Sequence, residues 1–195
     1  MKKIIIVLAL GFVGIVSLES CSRKVTRVGV EEQIDISGRW NDTDARMAAQ
    51  DLSTQAVLGD WLNTHMIEKK KKPVVIVGLV RNKSHEHIDG ELFTVEIEKA
   101  LVKSQRARVV QGGEMRNELR AERADQQENA SVSTMKKFGL ETGADYMLQG
   151  TINSVVDAHK REKVVYYQID LTLTNIQTNE KVWFGEKKIK KFVKN

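Results

Sequence analysis

Apolar residues in this chain follow two periods. From Asn41 onward they recur at three- and four-residue steps, and towards the C-terminus they recur at every second residue. Asn41, Asp42, Thr43 and Asp44 form a dense helix N-cap signal. After it, Ala48, Leu52, Ala56 (or Gln55), Gly59, Leu62 and Met66 mark one face of an amphipathic helix running to about Glu68. The lysines at 69–72 suit its C-terminal dipole, and Pro73, the only proline, stops it. PVVIVGLVRN is a nearly unbroken β-branched run, which predicts a strand covered on both faces. Asp89 is placed to cap a second helix carrying Phe93, Ile97, Ala100 and Leu101 on one face. ARVVQ reads as a further buried strand. A polar helix at about 114–128 follows, then a shorter helix capped by Ser131 or Ser133 and closed by Gly143.

Beyond Gly143 the pattern predicts three consecutive strands, DYMLQGTINSVVDA, EKVVYYQIDLTLTNI and EKVWFGEKKIKKF. In the second of them Ile169, Leu171 and Leu173 alternate with Asp170, Thr172 and Thr174, as in a sheet with one wet face. NIQTNEK is the turn between the last two. The fold class is therefore α/β, an α+β sandwich with helices packed on a mixed β-sheet that ends in an antiparallel three-strand meander. No repeat and no low-complexity segment interrupts it.

The N-terminus follows a different logic. Lys2 and Lys3 precede an apolar stretch at 4–16, which is too short for the roughly 18–20 residues of a membrane-spanning helix and has the proportions of a secretory signal peptide. Leu18-Glu19-Ser20-Cys21 resembles the bacterial lipobox, with Glu19 departing from the usual small or apolar residue. That resemblance implies cleavage after residue 20 and lipid attachment at Cys21, the only cysteine of the chain. A lone thiol has no disulfide or CxxC partner, and two or more acyl chains make a firm membrane anchor. Residues 21–39 then read as a short tether and 40–195 as a single globular domain. Removing the signal takes the formal charge from +5 to about +4, a mild bias on a heavily charged surface that does not mark a nucleic-acid binder. The lysines at 69–72 and 187–194 read first as solvated ends of secondary elements. A contact with an anionic surface such as a membrane or cell wall is the alternative.

Candidate chemistry is sparse. His85, Glu86, His87 and Asp89 are metal-ligand types in one short stretch, but they lack the HExxH spacing. On an extended loop Glu86 points away from the two histidines, so a polar loop with Asp89 as cap explains them. Gly112-Gly113 lacks both the Lys-Ser/Thr of a P-loop and the third glycine of a dinucleotide fingerprint. Neither a nucleophile elbow nor a catalytic carboxylate pair stands out. The sequence therefore points to a non-enzymatic protein with no cofactor and no metal.

Four stretches, RWNDTDARMAAQDL, VVIVGLVRNKSHEHID, GADYMLQGTI and YYQIDLTLTNIQTNEKVWFGEKKIKK, resemble the LpoB-like penicillin-binding protein activators. The likeness covers about residues 38–191. It implies a domain akin to the N-terminal domain of TolB, on an outer-membrane lipoprotein facing the periplasm. It further implies a non-catalytic role, binding a bifunctional peptidoglycan synthase and stimulating it. The tether departs from the family's long proline-rich one: 18 residues, 22–39, without proline, reach only about 60–65 Å fully stretched. An exposed loop at the end of the first strand, with Arg81, Asn82, His85, Glu86 and His87, is the candidate partner-binding surface. A structural or assembly lipoprotein of an envelope secretion or scaffold complex is the alternative reading.

Overall fold

The computed structural model describes residues 25–131 and 141–194. The expected signal peptide, Cys21 and the start of the tether lie outside the described residues, as does most of the short helix expected after Ser131. The chain divides into two units, Met1–Glu32 and Gln33–Asn195. The described part of the first is an extended stretch with one turn, in which the Glu32 N–H donates to the Gly29 carbonyl at 3.0 Å. Among the described residues, the second unit holds all the helices and strands.

Helix α1 (Asp42–Leu58) begins at a reciprocal cap. The Asn41 side chain accepts from the Asp44 N–H at 3.0 Å, and the Asn41 N–H donates to the Asp44 carboxylate at 3.1 Å. Its buried stripe, Ala48, Leu52 and Ala56, follows the expected periodicity. The helix does not continue to Glu68, however. It stops at Gly59, which is extended, and α2 (Trp61–Lys69) starts afresh. Two indoles explain the break: a Cβ on Gly59 would lie 2.7 Å from Trp61 Cδ1 and 2.9 Å from Trp183 Nε1. The Trp61 Nε1–H then donates to the Ala56 carbonyl at 3.0 Å, satisfying one of the free carbonyls at the end of α1. Restarting the helix shifts its phase, so Trp61, Leu62 and His65 are buried while Met66 is exposed.

Strand β1 (Val74–Asn82) is followed by α3 (Glu91–Ser104), β2 (Arg108–Val110), α4 (Gly113–Asn129), β3 (Tyr146–His159), β4 (Glu162–Asn175) and β5 (Lys181–Lys194). The five strands form one mixed sheet in the order β2-β1-β3-β4-β5, with β1 parallel to both neighbours and the rest antiparallel. In β1 the pairing with β3 slips between Val77 and Val80, so Val75, Val77 and Val80 are buried while Leu79 is exposed. The start of β1 is covered on both faces, with Val74 buried and Ile76 half-buried, and the second face opens only at Leu79. β2 is not a buried strand: it is a short edge strand whose residues are exposed or half-buried. Asp89 caps α3 from just outside it, accepting from the Glu91 N–H at 2.9 Å. α4 is polar all round and buries no residue.

The core lies between the sheet and helices α1 and α3. Phe93, Ile97 and Leu101 of α3 meet Val75, Leu148, Ile152, Ile169, Leu171 and Leu173, all almost fully buried. On the opposite face of the sheet, Gln149, Thr151, Gln168, Asp170, Thr172 and Glu186 remain at least partly accessible. The β3–β4 hairpin extends well past β1, whose pairing ends at Ile152, and β5 accompanies it to Lys194. This three-stranded arm and the loop after β1 share one end of the molecule.

Candidate interaction surface

The loop that follows β1 is held from inside by its own polar residues. The Asn82 amide donates to the Glu86 carbonyl at 2.7 Å, while its oxygen accepts from the Ser84 N–H and hydroxyl at 2.9 and 2.7 Å. Ile88 is buried below. Glu86 turns inward. One carboxylate oxygen accepts from the Trp40 N–H at 2.8 Å and the other from the Tyr167 hydroxyl at 2.9 Å. Burial, together with the hydrogen bond to this carboxylate, pushes the Tyr167 phenol well above its ordinary pKa. The Trp40 ring stands edge-on to Tyr167, with centroids 5.2 Å apart, and 6.1 Å from Phe93. The loop, the entry to α1 and the centre of β4 are therefore one unit.

What the loop presents outward is Arg81, His85 and His87, all exposed. His85 is steadied by Ser154 on β3, whose hydroxyl lies 3.2 Å from its backbone nitrogen and 3.3 Å from Nδ1. Of the five residues singled out from sequence, these three project as a cation and two imidazoles on a braced loop, and Asn82 and Glu86 do the bracing. The other two histidines lie elsewhere. His65 is buried, with Nδ1 2.9 Å from the Tyr146 hydroxyl and Nε2 3.9 Å from Asp145, and burial lowers its pKa. His159 sits at the end of β3. Among the described residues no group of three His, Cys, Asp or Glu side chains is placed to hold a metal ion.

A second cluster ties the segment before α1 to β5. The Lys191 ammonium reaches Asp44 at 2.6 Å, Asp35 at 2.7 Å and the Arg39 carbonyl at 2.9 Å. Burial disfavours its charge, but the two carboxylates more than offset this and hold its pKa above the usual lysine value. Gly38, with φ of 66°, packs so closely on Val193 that no side chain fits there. Reading the sequence did not connect 35–39 to β5, because the partner lysine is some 150 residues away.

A groove of about 950 Å³ between α1 and α3 also escaped the sequence reading. It is lined by Ala45, Ala49, Val57, Leu58, Leu92 and Ala100, with Arg46 and Lys103 among the polar contributors. Its one sequence signal is the spacing of Ala45, Ala49 and Ser53, small residues one turn apart on the side of α1 that faces α3.

The domain is a helix-backed mixed sheet that presents a braced loop and an open sheet face. Residues 44–189 match the family described as the peptidoglycan-synthase activator LpoB, and the chain belongs to that family. The family is one of activators rather than enzymes, and its partners are peptidoglycan synthases. Among solved structures, the C-terminal domain of LpoB from Salmonella enterica aligns at 18% identity and a TM-score of 0.39, covering 75% of this chain and 98% of that one. The corresponding Escherichia coli domain aligns at 16% identity and a TM-score of 0.36, with the same coverage. A lipoprotein from Neisseria meningitidis aligns at 11% identity and a TM-score of 0.39, covering 62% of this chain and 83% of that one. No curated protein sequence matches the chain.

Proposed function

We propose that this chain is a non-enzymatic envelope lipoprotein that binds a bifunctional peptidoglycan synthase and stimulates it by protein–protein contact. The observation that carries this reading is the family match over residues 44–189, which runs from the first turn of α1 to Ile189 in β5. In this reading the signal peptide ends at residue 20, Cys21 carries the lipid, and the domain faces the periplasm from the outer membrane. The contact surface is the loop after β1. Arg81, His85 and His87 supply exposed donors at fixed positions, and Asn82 and Glu86 preserve the loop's shape so that little ordering entropy opposes binding.

The tether limits the partner. With Asp35 held by Lys191, the stretch from Cys21 to Asp35 reaches only about 46–50 Å when fully extended. The synthase must therefore project towards the anchored domain. Affinity capture of the lipidated protein from its own envelope, developed with a fluorescent penicillin, tests the reading directly. A labelled penicillin-binding protein that is retained by wild type and lost from Arg81→Ala/His87→Ala is expected. Capture without any penicillin-binding protein overturns the partner, and equal capture by the double variant removes the loop.

A further inference from the structure

The arm formed by β3, β4 and β5 beyond Ile152 has a composition that the synthase reading leaves unused. On its open face Val155, Val164, Tyr166 and Phe192 lie side by side, because the register pairs Val155 with Tyr166 and Val164 with Phe192. Phe192 is 63% exposed and Val155 64% exposed, although both belong to paired strands. Val156 and Ala158 are exposed on the other face of the arm, where the register pairs them with Val165 and Lys163. At the end of the arm stand five cations, Lys190 and Lys194 on the face of Phe192, Lys163 on the other face and Lys160 and Arg161 in the turn, against two carboxylates, Asp157 and Glu162. Glu162 is already taken by Lys194 at 3.1 Å. Lys160, Arg161, Lys163 and Lys190 make no ion pair among the described residues. The tip itself is the two-residue turn Lys160-Arg161, with Lys160 at φ of 52°. Apolar side chains set among unpaired cations match the interface of a bilayer, where rings and methyls enter the headgroup layer and ammonium groups meet lipid phosphates.

The entry of the chain is at the same place. Asp35 and the Arg39 carbonyl are pinned to Lys191, and Gly38 packs on Val193, both in the last turns of alternation of β5 beside the arm. The strand that carries Phe192 and Lys194 therefore also receives the segment that leads back towards Cys21.

We infer that the end of the β3–β4–β5 arm is a docking surface for an anionic phospholipid bilayer, which lays the domain against the membrane that anchors it. The inference rests on the lipid-anchor reading for the orientation, and on the arm alone for the contact. The lysines that are too charged for the hydrocarbon interior suit the headgroup layer, so the arm lies on the bilayer and does not cross it. Docking fixes which surfaces of the domain remain free for a protein partner. The far turn at 176–180 points away from the membrane, and the loop after β1, which meets the arm at Ser154, stands back from the Lys160-Arg161 tip.

Because lipid consumes Cys21 in this reading, a cysteine introduced at His159 or Gln177 is uniquely labelled in the lipidated protein. The two labelled proteins are reconstituted with vesicles of phosphatidylcholine, with or without phosphatidylglycerol, and quenching by a headgroup-labelled nitroxide lipid is measured. The expected result is strong quenching of the His159→Cys label only when phosphatidylglycerol is present, and none of the Gln177→Cys label. In the background Arg161→Glu/Lys163→Glu/Lys190→Glu, the His159→Cys signal falls to the neutral-vesicle level. Each Lys or Arg near an anionic leaflet is worth about fivefold in affinity. Equal quenching at both positions, or quenching indifferent to phosphatidylglycerol or to the triple variant, overturns the inference. Flotation with pure phosphatidylcholine vesicles reads the anchor separately. If it fails, the anchor reading falls, and flotation of the same protein with phosphatidylglycerol vesicles decides the arm, supporting it if the protein floats and overturning it if not.

Discussion

Removing the Glu86 carboxylate provides a sharp test of how the loop is built. In Glu86→Ala the Trp40 N–H and the Tyr167 hydroxyl both lose their acceptor, at 2.8 and 2.9 Å in the wild type. Tyr167 is fully buried, so its hydroxyl has no water to turn to. A hydrogen bond to a charged group is worth about 1.5–3 kcal/mol, and an orphaned buried donor costs about 1–3 kcal/mol. Glu86 is itself only half-buried, which places the sum for the two bonds near the lower end, about 3–4 kcal/mol. Glu86→Gln keeps an oxygen for Trp40 and offers its amide hydrogens to the Tyr167 oxygen, so it loses charge assistance and leaves the phenol hydrogen without an acceptor, about 2–3 kcal/mol. Urea unfolding followed by tryptophan fluorescence and circular dichroism measures both. A double-mutant cycle with Tyr167→Phe then isolates the Glu86–Tyr167 pair, for which a coupling of about 1.5 kcal/mol is expected. A Glu86→Ala protein within about 0.5 kcal/mol of wild type, or strict additivity with Tyr167→Phe, refutes the reasoning. In either case Glu86 is free to serve as a surface contact.

Three further outcomes follow from the same packing. Lys191→Met leaves the buried Asp44 without its cation and should cost about 3 kcal/mol in urea unfolding, whereas Lys188→Met, on the open face, should leave the urea midpoint where it is. Gly90→Ala drives a methyl into the Val80 carbonyl oxygen at the start of α3 and should lose about 1–3 kcal/mol, seen as a lower thermal midpoint. His65 has a pKa that burial depresses below its unfolded value, so the unfolded chain binds the proton more readily. Its contribution is intact above the unfolded pKa of about 6.5 and is lost as pH falls below that towards the folded pKa. The urea midpoint should therefore fall on going from neutral to mildly acid pH, and His65→Gln should flatten that dependence. Asp145, Lys71, Lys69 and Glu68 are the charged groups that face it.

The parts of the fold that could be read from the sequence are those in which one residue's environment repeats along its own element. Ile169, Leu171 and Leu173 alternate with polar residues because β4 has one face on the core, and the meander was visible for that reason. Phe93, Ile97 and Leu101 declared α3 in the same way. Distant contacts were invisible. The helical period runs straight through Gly59, and only the indoles of Trp61 and Trp183 break it. ARVVQ has the composition of a buried strand, but β2 sits at the edge of the sheet, a position no local pattern encodes. The lysines of 187–194 looked like a solvated end, yet they alternate within β5, and Lys191 faces inward to two carboxylates.

The candidate surface was legible in outline for a related reason. A run of Arg, Asn, Ser, His and Glu after a buried strand marks an exposed loop at the strand's C-terminal end, and the loop is there. Which of its side chains face outward depended on Trp40 and Tyr167, 46 and 81 residues from Glu86. The two halves of the sequence motif around Trp40 and Glu86 prove to be one hydrogen-bonded unit.

The most direct test of the account is a purified assay. A bifunctional peptidoglycan synthase from the same envelope is supplied with lipid-linked precursor in detergent, with and without the lipidated protein, and glycan polymerisation is followed continuously. The account predicts a faster rate that saturates with added protein, is retained in Glu86→Gln and is lost in Arg81→Ala/His87→Ala. An unchanged rate at saturating protein, together with no complex on sizing, contradicts it.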